Sequence, residues 1–320
     1  MRRFTSIAFA VLFLIFVPLS SRAAEYLIPV GKVIGLHLRD DTVTIAAFDD
    51  TLGTHARDSG LRIGDQIVAM DARSIRCAED VRSALDCCDE DVDITVRRSG
   101  KLHTLEVSPA DTAGEKKLGV YLRQGIAGIG TVTWYDPETG LFGALGHGVS
   151  TAKGTLLEMT QGTAYDAAVQ AVVRGKSGEP GQLRGSADVQ QIGQIIRNTP
   201  QGVFGKTSAS WRGQPIPVAE FEEVHTGPAV IRSTVQGSSA QEYSVEILKI
   251  YPQDRSDNRN FLLRITDTDL LNTTGGIVQG MSGSPIIQDG RLIGAVTHVL
   301  VSDPTRGYGI FIENMLDAAG

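Results

Sequence analysis

The sequence has little cysteine, and its few cysteines form no framework. Three cysteines occur in 320 residues, an odd number without the spacing of a zinc site, which excludes a disulfide-rich domain and a cysteine-based metal centre. Cys77 could form a bridge with Cys87 or Cys88 outside the cytoplasm, and reduced thiols are the alternative. The stability of the fold is therefore expected to come from an apolar core, for which 42% hydrophobic residues are ample.

The sequence also lacks an excess of positive charge. Thirty lysines and arginines stand against 37 aspartates and glutamates, for a net charge of −7. A general nucleic-acid binder normally carries a basic surface. We therefore expect no nucleic-acid partner.

Long apolar runs are missing after the first two dozen residues. Two arginines precede an apolar run over residues 7–19, and small residues follow it. This order is typical of a secretory signal, and the run is short for a membrane span, which needs about 20 residues. Residues 1–24 are predicted to be a signal peptide, or a membrane-associated signal anchor if Arg22 prevents cleavage. Both interpretations place the rest of the chain outside the cytoplasm.

Glycine is abundant, and this favours a mainly β fold. Thirty-six glycines make up about 11% of the chain, against a usual value of about 7%. At about 150 residues per domain, the length indicates roughly two domains. We predict a first domain over residues 26–110, a polar linker over 111–117 and a second domain over 118–320. Short β-like runs between glycine-rich turns favour a barrel or sandwich for the second domain.

The first domain carries a recognisable turn. Residues 59–67 read SGLRIGDQI and are followed by an alternating strand and a helix. This order resembles that of bacterial PDZ domains, which are α+β. The resemblance implies a groove that captures a peptide by strand addition. Ile34, Gly35 and Leu36 are predicted to form the loop that offers N–H groups to the peptide carboxylate, and the tight start of a strand is the alternative.

A serine between glycines is the strongest chemical signal. Residues 280–285 read GMSGSP and lead into an apolar strand. Acyl transfer needs an exposed serine hydroxyl with backbone N–H groups that converge on the developing oxyanion. The string resembles the nucleophile loop of chymotrypsin-like proteases, which predicts Ser282 as the nucleophile and the N–H groups of Gly280 and Ser282 as the oxyanion hole. A glycine-rich hairpin without chemistry is the alternative.

A nucleophilic serine needs a base and a group that orients the base. His147 is flanked by glycines, which leave the imidazole room, and it is the predicted base. His298, on the strand after the serine loop, is the reserve candidate. Asp267 is predicted to be the orienting carboxylate, with Asp269 as its rival. The alternative for both aspartates is that they cap the turn that follows.

Taken together, these stretches resemble the stage IV sporulation protein B family of serine peptidases. The resemblance is carried by residues 134–148, 265–285, 294–299 and 303–309. It implies a PDZ domain followed by a chymotrypsin-like double β-barrel, with a triad of His147, Asp267 and Ser282. It also implies endopeptidase activity by an acyl-enzyme route, without a metal or an organic cofactor.

The same resemblance implies a place and a partner. Family members are exported into the space between the two membranes of the developing spore. There they cleave a membrane-bound regulatory protein, which triggers activation of a sigma factor, and they also cut themselves near the N-terminus. Residues 26–32 are the one stretch expected to be exposed upstream of the first domain.

Two other functions compete with this one. The first is a PDZ adaptor that binds peptides and carries a catalytically silent peptidase-like domain. The second is an esterase of the α/β-hydrolase type, which requires a helix directly after the serine loop. Here the loop runs into Pro285 and a strand, so the esterase is disfavoured.

Overall fold

The structure is a computed structural model that describes residues 26–88, 90–207 and 209–320. The predicted signal segment, residues 1–24, lies outside the described residues. Within those three ranges, no helix has the length and apolar character needed to cross a membrane.

Strands predominate, as predicted for a mainly β protein. The strands are β1 (Tyr26–Pro29), β2 (Val33–Phe48), β3 (Gln66–Met70), β4 (Arg73–Ser74), β5 (Val92–Arg98), β6 (Lys101–Val107), β7 (Ala110–Thr112), β8 (Glu115–Lys117), β9 (Val120–Tyr135), β10 (Leu141–Ala144), β11 (Gln161–Val173), β12 (Gln182–Thr199), β13 (Gly202–Thr207), β14 (Ile216–Pro217), β15 (Gly227–Ser233), β16 (Gln241–Ile250), β17 (Phe261–Ile265), β18 (Pro285–Gln288), β19 (Arg291–Val299) and β20 (Arg306–Phe311). The helices are α1 (Thr54–Asp58), α2 (Ala78–Asp86), α3 (Thr268–Thr274) and α4 (Ile312–Ala319), and a 3₁₀ turn covers Phe221–Glu223.

Six antiparallel strands close into a first barrel. Their order is β9, β10, β13, β12, β11 and β2, and the pairing of β2 with β9 closes the ring. Leu38, Phe142 and Val203 are buried in its core. Glycine is required at position 143, because a Cβ atom there would lie 2.4 Å from Nε1 of Trp134 on the neighbouring strand.

Six further strands close into a second barrel. Their order is β15, β16, β17, β20, β19 and β18. Strand β17 alternates as expected for a sheet with one buried face, with Phe261, Leu263 and Ile265 turned into the core. Two closed barrels in succession are consistent with the predicted chymotrypsin-like architecture.

Residues 43–122 form a separate small unit with its own core. Ile67, Val81 and Ile94 belong to that core, and α2 packs on the sheet formed by β3, β5 and β6. The unit is inserted between the outer parts of β2 and β9, which are 16 residues long each. Strand β2 runs without a turn from the first barrel into this unit. The first half of β2 therefore belongs to the barrel, although the sequence predicts it to be part of the N-terminal domain. Cys77 forms no disulfide with Cys87 in this described unit.

Ile34, Gly35 and Leu36 lie inside β2, within the first barrel. Gly35 pairs with Tyr165 of β11 on one side and with Ile129 of β9 on the other. Ile34 and Leu36 are buried. These three residues therefore do not form the loop expected to bind a peptide carboxylate, since both edges of their strand are already paired. The strand interpretation, kept as the alternative, is the one found.

The segment expected to be exposed upstream of the small unit is largely packed against the barrels. Strand β1 pairs with β9 on one side and with β14 on the other. Leu27 and Ile28 are buried, whereas Tyr26 is exposed. The apolar residues at this position account for the difference, since strand pairing lets them join the core.

Candidate active site

The serine loop and the histidine loop meet in one cleft between the two barrels. Ser282 lies just before β18 of the second barrel, and His147 follows β10 of the first. Both line a cavity of about 330 Å³. The structure thus brings together the predicted nucleophile and the predicted base, which are far apart in the sequence.

Thr131 of β9 holds the serine loop in place. Its N–H donates to the carbonyl oxygen of Ser282 at 3.1 Å, and its hydroxyl donates to the carbonyl oxygen of Gly280 at 2.8 Å. Its own carbonyl accepts from the N–H of Leu145, in the loop that leads to His147, at 3.1 Å. Thr131 is fully buried. One residue of the first barrel therefore fixes both loops.

Gly283 allows the serine loop to lie close against Thr131. Its φ is +96°, and a Cβ atom there would lie 2.0 Å from the carbonyl oxygen of Thr131. Glycine adopts this backbone conformation without strain. Sequence reasoning missed Thr131, because the same end of β9 also contains Thr133 and nothing in the sequence distinguishes the two threonines.

Two N–H groups of the serine loop are left without an acceptor. The N–H groups of Met281, Gly283 and Ser284 donate to backbone carbonyls of the loop and of the neighbouring strand. Those of Gly280 and Ser282 donate to no acceptor in the part of the chain that the structure describes. Unsatisfied N–H groups beside a serine are what an oxyanion hole requires.

The hydroxyl of Ser282 is engaged with the second barrel in this structure. Its Oγ donates to the carbonyl oxygen of Thr297 on β19 at 2.7 Å. The side chain is half-buried. Within the described residues no hydrogen bond joins Oγ to His147, so the O–H has to turn from Thr297 before it can transfer its proton to the imidazole.

The imidazole of His147 is held by a backbone carbonyl. Its Nδ1 lies 3.0 Å from the carbonyl oxygen of Gly148. A carbonyl only accepts, so Nδ1 carries the proton and Nε2 of the neutral ring is free to accept one. Burial lowers the pKa of His147 from its usual value and outweighs the opposing effect of that hydrogen bond. The ring is therefore neutral at pH 7, in the tautomer that a general base needs.

His298, the reserve base, lies against the ring of His147. The two ring centroids are 5.4 Å apart. Burial, and after it the neighbouring His147, lower the pKa of His298 to about 4. Its Nδ1 is buried and has no hydrogen-bond partner among the described residues. A group with so low a pKa is a poor proton acceptor at neutral pH, so the arrangement favours His147 as the base.

Asp267 and Asp269, the two candidates for the orienting carboxylate, lie at the start of α3. Asp267 is the N-cap of α3, where its carboxylate accepts from the N–H of Leu270 at 2.9 Å and from the N–H of Ser244 at 3.4 Å. Asp269 is exposed in the first turn of that helix. Within the described residues, no hydrogen bond or ion pair joins either carboxylate to His147. The structure gives Asp267 the capping role that was the alternative to membership of a triad.

The small unit contains a groove of its own, between α2 and residues 115–122, with a volume of about 770 Å³. Gly119 has a φ of +64°. The N–H groups of Leu118 and Gly119 have no acceptor within the described ranges. Residues 118–120 repeat the apolar-Gly-apolar pattern that drew attention to residues 34–36, so the sequence did contain the signal for this loop.

No group of three or more histidine, cysteine, aspartate or glutamate side chains that could hold a metal ion occurs in ranges 26–88, 90–207 and 209–320.

The chain matches one family model and is weakly similar to solved structures. No curated protein matches the chain. Among solved structures, the chain is similar to the Rv3671c protease of M. tuberculosis in its active form, at 15% identity and a TM-score of 0.39, over 61% of this chain and 75% of that one. It is also similar to the inactive form of the Rv3671c protease, at 16% identity and a TM-score of 0.35, over 61% of this chain and 85% of that one. The model of the SpoIVB peptidase S55 family matches residues 114–316. Since this match spans more than half of the chain, the protein belongs to the SpoIVB peptidase S55 family and is a serine peptidase.

Proposed function

We propose that the chain is an endopeptidase that works by an acyl-enzyme route, with Ser282 as its nucleophile and His147 as its general base. The observation that carries this proposal is the meeting of three features in one cleft. They are a serine hydroxyl, a neutral imidazole in the tautomer of a base, and the two N–H groups without acceptors.

The proton and the acyl group move as follows. The hydroxyl of Ser282 turns from Thr297, gives its proton to Nε2 of His147 and attacks the scissile carbonyl. The N–H groups of Gly280 and Ser282 receive the oxyanion, a contribution of roughly 10²–10³ in rate for each donor. His147 then gives the proton to the leaving amine, and water hydrolyses the acyl ester by the reverse sequence.

A backbone carbonyl serves where a triad would have its carboxylate. The carbonyl of Gly148 accepts from Nδ1–H of His147 and thereby fixes the tautomer and the ring orientation. It carries no full negative charge, so it stabilises the imidazolium less than a carboxylate would. The lowered pKa of His147 is in keeping with this arrangement. We assign Asp267 a capping role.

We propose the biological role that the resemblance to the sporulation peptidases implies. The chain is exported to the space between the two membranes of the developing spore, where it cleaves a membrane-bound regulatory protein and starts activation of a sigma factor. It also processes its own N-terminus. Because Leu27 and Ile28 are buried, self-cleavage within β1 requires that strand to leave the barrels first.

A second function belongs to the groove of the small unit, which we propose to be a PDZ-like site for the C-terminus of a peptide. The N–H groups of Leu118 and Gly119 would receive the terminal carboxylate. Three basic side chains line the same groove, and so do three acidic ones, so the N–H groups carry the recognition; the charged residues are Arg82, Lys116, Lys117, Asp49, Asp86 and Glu115. The start of β9 offers the edge to which the peptide adds as a strand.

Replacing Ser282 with alanine tests the peptidase proposal. Purified wild-type protein incubated with a peptide library should give fragments that increase with time in mass spectra, and Ser282→Ala should give none, because the nucleophile is missing. Ser284→Ala is the matched control. Ser284 lies in the same loop, but its hydroxyl donates to the Met281 carbonyl in the interior, so this variant should keep cleavage within about tenfold. Fragments from Ser282→Ala would refute the assignment.

Two substitutions at Asp267 separate a cap from a catalytic carboxylate. Asparagine is as good an N-cap as aspartate, so Asp267→Asn should leave kcat and the melting temperature nearly unchanged. Asp267→Ala should lower the free energy of unfolding by about 1 kcal/mol, again with little change in kcat. If Asp267 oriented the base, the asparagine variant would fold normally and lose roughly 10⁴-fold in kcat.

Terminal carboxylate recognition can be measured with fluorescein-labelled decapeptides that end in valine. The free-acid peptides should bind at least roughly tenfold more tightly than the same peptides with a C-terminal amide, because hydrogen bonds to a charged group are the stronger ones. Arg82→Glu should weaken binding of the free acid. Arg97→Glu, which changes an exposed arginine of β5, should not. Equal affinity for acid and amide would count against the groove as a carboxylate site.

A further inference from the structure

The catalytic cleft has an apolar wall that the mechanism does not use. Ile126 and Val149 line it. Both are half-buried and pack on the core of the first barrel, whereas the side chain of Ile129 projects from the opposite face of β9. In the part of the chain that the structure describes, no lysine, arginine, aspartate or glutamate lines this cleft. Burying a charged side chain against such a wall without a partner is costly, so the wall favours an uncharged, apolar occupant.

The cleft continues into a larger cavity along β9. A neighbouring cavity of about 840 Å³ shares Leu36, Gly128 and Ile129 with the cleft. It reaches Val189, which lies where the pairing of β12 with β11 is interrupted and is 94% exposed. Together the two cavities form a groove that runs from the serine along one strand, the shape that an extended peptide requires.

Strand β9 has an open edge on this groove. The N–H of Val132 donates towards β2, to Lys32, whereas the N–H of Thr131 donates the other way, to Ser282. Successive residues of a strand in an antiparallel pair alternate in this respect. The backbone groups of Ile129 and Ala127 therefore point in the same direction as those of Thr131, to an edge that pairs with no described strand beside these two residues.

The position of the base decides which part of a substrate lies here. The acyl carbonyl oxygen belongs at the N–H groups of Gly280 and Ser282, whereas the leaving nitrogen has to reach Nε2 of His147. The apolar wall adjoins His147 and lies on the barrel that carries it. The chain that departs with the leaving amine therefore runs along this wall.

We propose that Ile126 and Val149 form a specificity subsite for the residue just after the scissile bond, and that the enzyme cuts before apolar residues. The departing segment adds as a strand to the open edge of β9. This proposal rests on the peptidase function proposed above and names its substrate class, which is extended polypeptide with an apolar residue on the leaving side.

The test is the sequence at the new N-termini. A proteome-derived peptide library should be digested with the wild-type protein, and the first residue of each new N-terminus read by mass spectrometry. Leucine, isoleucine, valine, methionine and phenylalanine should be enriched there by roughly tenfold over charged residues, a selectivity within the range of an apolar pocket.

A charged residue at position 126 should change which residue the enzyme prefers after the scissile bond. Loss of folding would abolish cleavage and could not produce such a change. Ile126→Glu should shift the preferred residue to lysine or arginine. Ile196→Glu is the matched control, because Ile196 is a partly exposed isoleucine of β12 that lines neither cavity, and it should keep the wild-type preference. If Ile126→Glu unfolds, Ile126→Ala should still broaden the preference.

The possible outcomes distinguish the subsite proposal from the peptidase proposal on which it rests. Fragments whose new N-termini show no apolar enrichment would overturn the subsite and leave the peptidase intact. A preference unchanged by Ile126→Glu in a folded protein would also overturn it. The absence of fragments, together with failure of Ser282 to react with a fluorophosphonate, would refute the peptidase proposal and the subsite with it.

Discussion

The hydrogen bonds of Thr131 are the interaction on which the active site depends. This buried residue of the first barrel binds the carbonyls of Gly280 and Ser282 and accepts from Leu145, so it ties the serine loop and the histidine loop to one point. Neither barrel contains a complete site. Because a buried donor or acceptor that loses its partner costs about 1–3 kcal/mol, separating the barrels here is opposed by several such groups at once.

Strand β9, which contains Thr131, connects the active site to the small unit. It begins beside the groove of the small unit, passes the apolar wall of the catalytic cleft, and reaches Thr131 near its end. Gly125 allows the change of direction between these parts, since it has a φ of +74° and a Cβ atom there would lie 1.9 Å from the carbonyl of Leu38. The proposed sites for a peptide terminus and for a substrate thus lie along the same strand.

The features that could be predicted from the sequence are those that short motifs determine. The glycines around Ser282 and His147 indicated loops with a special backbone, and the structure brings those loops together. The glycine content and the short β-like runs predicted a mainly β protein, and strands predominate in the structure. Such signals work because the conformation of a few adjacent residues decides them.

The features that could not be predicted depend on pairing between distant strands. Residues 34–36 have the apolar-Gly-apolar pattern of a carboxylate-binding loop, yet β9 and β11 pair with both edges of this segment. Asp267 occupies the motif position of a triad aspartate, but the helix that follows needs a cap, and the carboxylate caps it. The group that orients His147 is the backbone carbonyl of Gly148. Every residue has such a carbonyl, so a pattern of side chains cannot predict which one serves.

The central claim is that Ser282 is activated by His147 in this cleft, and covalent labelling tests it most directly. The intact protein should be treated with a fluorophosphonate, digested and mapped by mass spectrometry, beside His147→Ala. The account predicts one adduct per chain, on Ser282, formed at least roughly 100-fold more slowly in the histidine variant because general-base catalysis is lost. An adduct on another residue, or equal rates in both proteins, would contradict it.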